Sequence, residues 1–284
     1  MGTPNLITAK GDGVTINLAE WSGRGQTLLC IHGITANCRC WDLVASTLAP
    51  DYRVLAMDLR GRGRSDKPAT GYSIEQHGRD ILALLADLKV ERPVIMGHSL
   101  GAFISLAFAA RFPDRVERVV LVDGGGDLSK EEMDKVFAGI KPSLDRLGKV
   151  FPSAQAYLEA MKQAPYIQPW SPFLETYYRW EIEEVPGGVR TNIDPLHIQE
   201  EAANVKKMAA ASFYPKIGCK VLILRATEGL LAHDDILLPE PVVTRMVREI
   251  QHARCVDIKG TNHYGIVFQP NRVRDEALGG FLKE

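Results

Sequence analysis

Ser99 stands between Gly97 and Gly101 in the run Val94 to Ala102, VIMGHSLGA. A free serine hydroxyl is a poor nucleophile near neutral pH. Chemistry therefore requires that the chain also supply a base, an acid to orient that base, and a site for negative charge. With these in place the reaction is attack on a carbonyl carbon, with an acyl group held on the serine before water releases it. Glycine-x-serine-x-glycine acts this way on a sharp turn from a strand into a helix, where side chains at the flanking positions would collide with neighbouring backbone. The turn also places the serine at a helix N-terminus, where backbone N–H groups favour developing negative charge.

The surrounding elements supply that context. RPVIMG reads as a strand, Leu100 to Phe112 as a helix and VERVVLVD, 116–123, as the next strand. Upstream, NLITAK and VTINLAEW flank the turn signal GDG and predict a hairpin. TLLCI (27–31) and YRVLAMD (52–58) alternate as strands with helical stretches at 40–49 and 74–88. Strands that are apolar throughout and alternate with helices predict a mostly parallel sheet covered on both faces. After DGGG at 123–126 the rhythm breaks. Segments 130–149, 153–163, 172–184 and 195–209 look helical, with no strong strand before CKVLILRA at 219–226. A helix near 240–250, the strand ARCVDI, the loop KGTNHYG and a last helix near 271–283 complete the chain. The expectation is a core of 1–126 and 210–284 with a helical cap at 127–209.

Three motifs, IHGITANCRCW, DLRGRGRSDKP and GHSLG, follow the third, fourth and fifth predicted strands. In these the chain resembles the α/β-hydrolase fold superfamily over essentially its whole length, and in particular serine esterases with a helical cap. The resemblance implies an oxyanion hole from the N–H groups of Ile34 and Leu100, with His32 bracing that loop. It also implies that His263, directly after the last strand, is the general base. His98 is a variable position of the elbow, and His77, His197, His233 and His252 are read as structural or solvated. Two carboxylates compete for the acid. Asp235 and Pro239 match the family's D-x-x-x-P pattern, twenty-eight residues before His263, but Asp235 lies nine residues beyond the expected strand end at Ala226. Asp123 ends the sixth strand on the edge where Ser99 emerges, and some members carry their acid there. Asp123 is the expected acid and Asp235 the alternative, with Asp234 and Glu228 adjoining.

A serine at the elbow, where epoxide and haloalkane enzymes carry aspartate, favours hydrolysis of a carboxylic ester. Amide, lactone or carbon–carbon bond hydrolysis on the same groups is the alternative, and a non-catalytic receptor is a third reading. Formal net charge is -1, from 34 Lys and Arg against 35 Asp and Glu, so no field points toward nucleic acid or an anionic membrane. A small, largely apolar substrate is expected, with no cofactor and no metal. No signal peptide, membrane span or myristoylation pattern is evident, and five cysteines without a C-x-x-C pair suggest reduced thiols in a cytoplasm. The 127–209 segment carries nine aromatic residues, Phe137, Phe151, Tyr157, Tyr166, Trp170, Phe173, Tyr177, Tyr178 and Trp180. Most are expected in its core and some above Ser99, with Trp170 and Tyr178 chosen as residues that would shape a pocket.

Overall fold

The computed structural model describes residues 3–49, 51–232 and 234–284. Eight strands form one sheet in the order β1 (Asn5–Lys10), β2 (Thr15–Trp21), β4 (Arg53–Met57), β3 (Thr27–Ile31), β5 (Val94–His98), β6 (Arg118–Val122), β9 (Lys220–Ala226) and β10 (Ala253–Ile258). The first two pair antiparallel as the expected hairpin, β2 pairs antiparallel with β4, and every later pairing is parallel. The central strands are buried over nearly their whole length because helices cover both faces. These are α1 (Asp42–Leu48), α2 (Ile74–Asp87), α3 (Leu100–Arg111), α9 (Glu240–Glu249), α10 (Gly265–Phe268) and α11 (Arg272–Leu282). Helix α3 is apolar on nearly all sides, as a helix packed into the core must be.

Between β6 and β9 the chain forms α4 (Lys130–Gly139), α5 (Lys141–Asp145), α6 (Ala154–Lys162), α7 (Pro172–Trp180) and α8 (Pro195–Val205). The all-helical expectation for this stretch needs correction. Residues 182–184, read as the end of a helix, belong to β7 (Ile182–Val185), which pairs antiparallel with β8 (Gly188–Thr191). Helix α7 stops at Trp180, and the tight reversal is made by Gly187 and Gly188, both at positive φ. Likewise 130–149 is two helices, broken between Gly139 and Lys141. No described helix is long and apolar enough to cross a membrane.

Candidate active site

The carboxyl ends of β3, β5 and β6 bring the candidate groups together. Ser99 sits between β5 and α3 at φ 56°, ψ -118°, a strained geometry for a side chain with a Cβ. Its N–H is held by Val122 O at 3.1 Å. The neighbouring glycines make room for it. A Cβ on Gly97 would be driven into the Gly101 carbonyl, and one on Gly101 into the Ile31 carbonyl. Gly33 faces Ser99 directly, since a Cβ there would lie 3.1 Å from Ser99 Cβ.

His263 follows β10, and its Nδ1 lies 2.7 Å from Asp123 Oδ2, with both side chains buried. Asp123 is itself at positive φ, 45°. Its N–H donates to Leu224 O at 2.8 Å and its Oδ1 accepts from Ala226 N at 3.0 Å, so β9 fixes the carboxylate on both sides. Asp235 is elsewhere occupied: its two oxygens accept the N–H groups of Leu230, Leu231 and Ala232 at 2.6, 2.8 and 3.1 Å. Asp234 is exposed and pairs with Lys135 at 3.0 Å, and Glu228 is exposed. Of the four carboxylates, the geometry joins Asp123 to His263.

Residues Gly33 to Ala36 form a turn closed by Ala36 N–H to Gly33 O at 3.1 Å. Leu59 N–H donates to His32 Nε2 at 3.0 Å, so the His32 proton sits on Nδ1, which donates to Gly33 O at 2.7 Å. Burial holds this imidazole down to about 4 despite the pull of Asp58. Leu100 opens α3, and among the described residues neither its N–H nor that of Ile34 has a protein acceptor. Asp58, at the head of the DLRG motif, accepts from Cys38 N at 2.7 Å, Asn17 Nδ2 and Arg64 N at 2.9 Å, and Trp180 Nε1 at 3.2 Å. It knits the end of β4 to β2, to Cys38 just beyond the turn and to α7.

One residue passed over in the sequence touches the candidate base. The His98 ring stacks on His263 at 4.3 Å between centroids, and its Nε2 donates to His263 O at 2.9 Å. Burial first, and then the neighbouring His263, push its pKa well below the ordinary value, so it stays neutral. The alternation of side chains along β5 could have hinted at this, since His98 is its last residue. The remaining histidines divide. His77 is fully buried and paired with Glu201, His197 is buried and stacked on Tyr72 at 4.2 Å, His252 is exposed, and His233 lies outside the described residues.

Two small cavities, of about 50 and 30 Å³, flank Ser99. The first runs beneath α4, where Met133, Val136 and Phe137 close it, and the second lies against Tyr177, Tyr264 and Phe268. Trp170 and Tyr178, the aromatics chosen as pocket-shaping, line neither. They stack on one another at 5.6 Å within the inserted segment, and Tyr178 also packs edge-on against Tyr157. All five cysteines are free thiols. Among the described residues no group of three or more His, Cys, Asp or Glu side chains is placed to hold a metal.

A family model described as alpha/beta hydrolase fold matches residues 26–270. The chain belongs to the α/β-hydrolase family. Among its relatives, an uncharacterized protein of Mycobacterium tuberculosis is 43% identical over 105 residues, 37% of this chain and 31% of that one. The 2-(acetamidomethylene)succinate hydrolase of Mesorhizobium japonicum is 34% identical over 145 residues, 51% of each. The matched regions thus span about a third to a half of the relatives' lengths. In three dimensions, the crystal structure of E-2-(acetamidomethylene)succinate hydrolase superposes on this α/β-hydrolase with a TM-score of 0.85 at 25% identity, covering 99% of this chain and 100% of that one.

Proposed function

We propose that this protein is a serine hydrolase that cleaves a carboxylic ester of a small, largely apolar substrate. Ser99 Oγ attacks the carbonyl as His263 Nε2 takes its proton, and Asp123 holds the Nδ1 proton and stabilises the imidazolium. The tetrahedral oxygen takes hydrogen bonds from Ile34 and Leu100 N–H, each such donor being worth on the order of 10²–10³ in rate. The imidazolium then gives its proton to the departing alkoxide as the carbonyl re-forms on Ser99, and water, deprotonated by His263, attacks the acyl-enzyme and releases the acid, the proton returning to Ser99. Residues 127–209 act as a cap over Ser99, with α4 as the wall of the acyl pocket.

The observation that carries this reading is the 2.7 Å pairing of Asp123 with His263 beside a strained Ser99. The apolar character of the substrate rests on the cavity walls, which among the described residues include no Lys or Arg. A second reading, amide hydrolysis, is favoured by the likeness to a hydrolase named for 2-(acetamidomethylene)succinate, a compound with an amide and two carboxylates. Without a lining cation, a dicarboxylate would lose its solvation uncompensated, so an amide substrate here would be an uncharged one.

Two measurements test the proposal. A fluorophosphonate should label Ser99 alone, read by mass spectrometry, and Ser99→Ala should abolish turnover. A panel of p-nitrophenyl esters run beside anilide, lactone and β-diketone substrates should show turnover of short acyl esters. Labelling elsewhere removes the nucleophile, while turnover confined to the anilides replaces the ester reading with the amide one.

A further inference from the structure

Resting on the serine hydrolase reading, we infer that the inserted segment sets the geometry of the oxyanion loop through two buried arginine–glutamate pairs, making Glu201 and Glu181 positioning residues for the reaction. In the turn at 33–36, the carbonyls that follow the Ile34 N–H are each held by a buried guanidinium. Arg62 Nε donates to Ile34 O at 2.8 Å, and Arg146 Nη2 donates to Thr35 O at 2.8 Å. Each arginine is gripped in turn by a buried carboxylate of the inserted segment. Glu201, on α8, pairs with Arg62 Nη2. Glu181, just past α7, takes Arg146 Nε at 2.8 Å and Nη2 at 2.9 Å.

Four charges buried around one short turn are expensive unless each is paired and hydrogen-bonded, and here every guanidinium nitrogen and carboxylate oxygen has a partner. Glu201 also takes His77 Nε2, and Glu181 the Tyr157 hydroxyl. Burial alone would raise Glu201, but Arg62 and His77 overcome it and hold it down to about 2. A guanidinium is a rigid fork, so an arm fixed on a carboxylate fixes where its other arm meets a carbonyl. With Gly33 O already bound by His32 and Ala36, the peptide planes at 33, 34 and 35 are all pinned, and the direction of the Ile34 N–H is set with them.

Mere docking of the cap predicts something different: lower thermal stability, or a changed KM, with chemistry intact. The test titrates active sites with a fluorophosphonate and measures kcat per titrated site on p-nitrophenyl butyrate. It also measures affinity for a trifluoromethyl ketone, which becomes an oxyanion only on addition of Ser99. Glu201→Gln, Glu181→Gln and Arg62→Lys should each lose about 10- to 100-fold in kcat per site, with ketone affinity weakened in parallel and KM within about twofold. Glu20→Gln, which opens the ion pair between β2 and Arg53 at the start of β4, away from the turn, should leave kcat per site unchanged whatever it costs in stability. Should a glutamine variant fail to fold, Glu201→Asp, which keeps the charge but withdraws the carboxylate by one methylene, must show the same split. Unchanged kcat per site in the folded variants, or a rise in KM alone, overturns the inference. Absence of Ser99 labelling in the wild type sinks the hydrolase reading and this inference with it, whereas labelled wild type with unaffected variants sinks the inference only.

Discussion

Asp123 and Asp235 carry the same functional group and differ only in what their oxygens already hold. Asp123→Asn should lower kcat/KM by on the order of 10⁴, because an amide cannot hold His263 in the required tautomer. Asp235→Asn should stay within about tenfold of wild type in steady-state kinetics, yet melt at lower temperature, having lost an acceptor of three loop N–H groups. The elbow was legible because its signal is local, five residues between an apolar run and a helix. The choice between the two acids was legible only from strand position, which favoured Asp123, since D-x-x-x-P spacing does not say that a carboxylate will turn back onto its own loop. Nor could composition reveal Arg62, Arg146, Glu181 and Glu201, which look like surface charges until the fold buries them. His32 yields a pH expectation with a definite sign. Its folded pKa, about 4, lies below the ordinary 6.5, so the unfolded chain takes up the proton first. The stability owed to neutral His32 is present above pH 6.5 and is lost as pH falls from there toward about 4. Melting curves across that window should show the gap between wild type and His32→Asn narrowing toward acid.

At the level of elements, strand ends and the turns between them do the positioning, and close packing leaves glycine as the residue that fits. Gly33→Ala should fold, since the added methyl meets Ser99 Cβ at 3.1 Å and a few tenths of an ångström of give relieves it. That displacement falls on Ser99 and on the peptide of Ile34 at once. A loss of about 10- to 100-fold in kcat with an unchanged melting temperature is expected, checked by kinetics beside calorimetry. The alternating strands and helices of the sheet were readable from apolar runs of five to seven residues, because strands buried on both faces leave no other pattern. The hairpin of β7 and β8 was not, as IEEV and GVRT are short and largely polar, and Glu183 and Arg190 pair across its face.

For the whole molecule, the proposed division is that the sheet carries the chemistry and the insertion the specificity. Phe137→Ala on α4 should enlarge the cavity beside Ser99 and move the preference among p-nitrophenyl esters toward longer acyl chains. Trp170→Ala, which lines neither cavity and is partly buried, should cost about 1–3 kcal/mol of stability and leave the ranking unchanged, measured by denaturant unfolding and the same ester panel. The paired arginines and glutamates around residues 33–36 bear on how such proteins can be recombined. Arg62 belongs to the loop after β4 while its partner Glu201 lies in the insertion, so the ion pair spans the seam at which one lid would be exchanged for another. A chimera that takes its lid from a relative would acquire a new pocket and, at the same stroke, strand a buried guanidinium against the Ile34 carbonyl. Lid shuffling in this scaffold is therefore a two-sided graft, in which position 62 has to be redesigned with whatever occupies position 201.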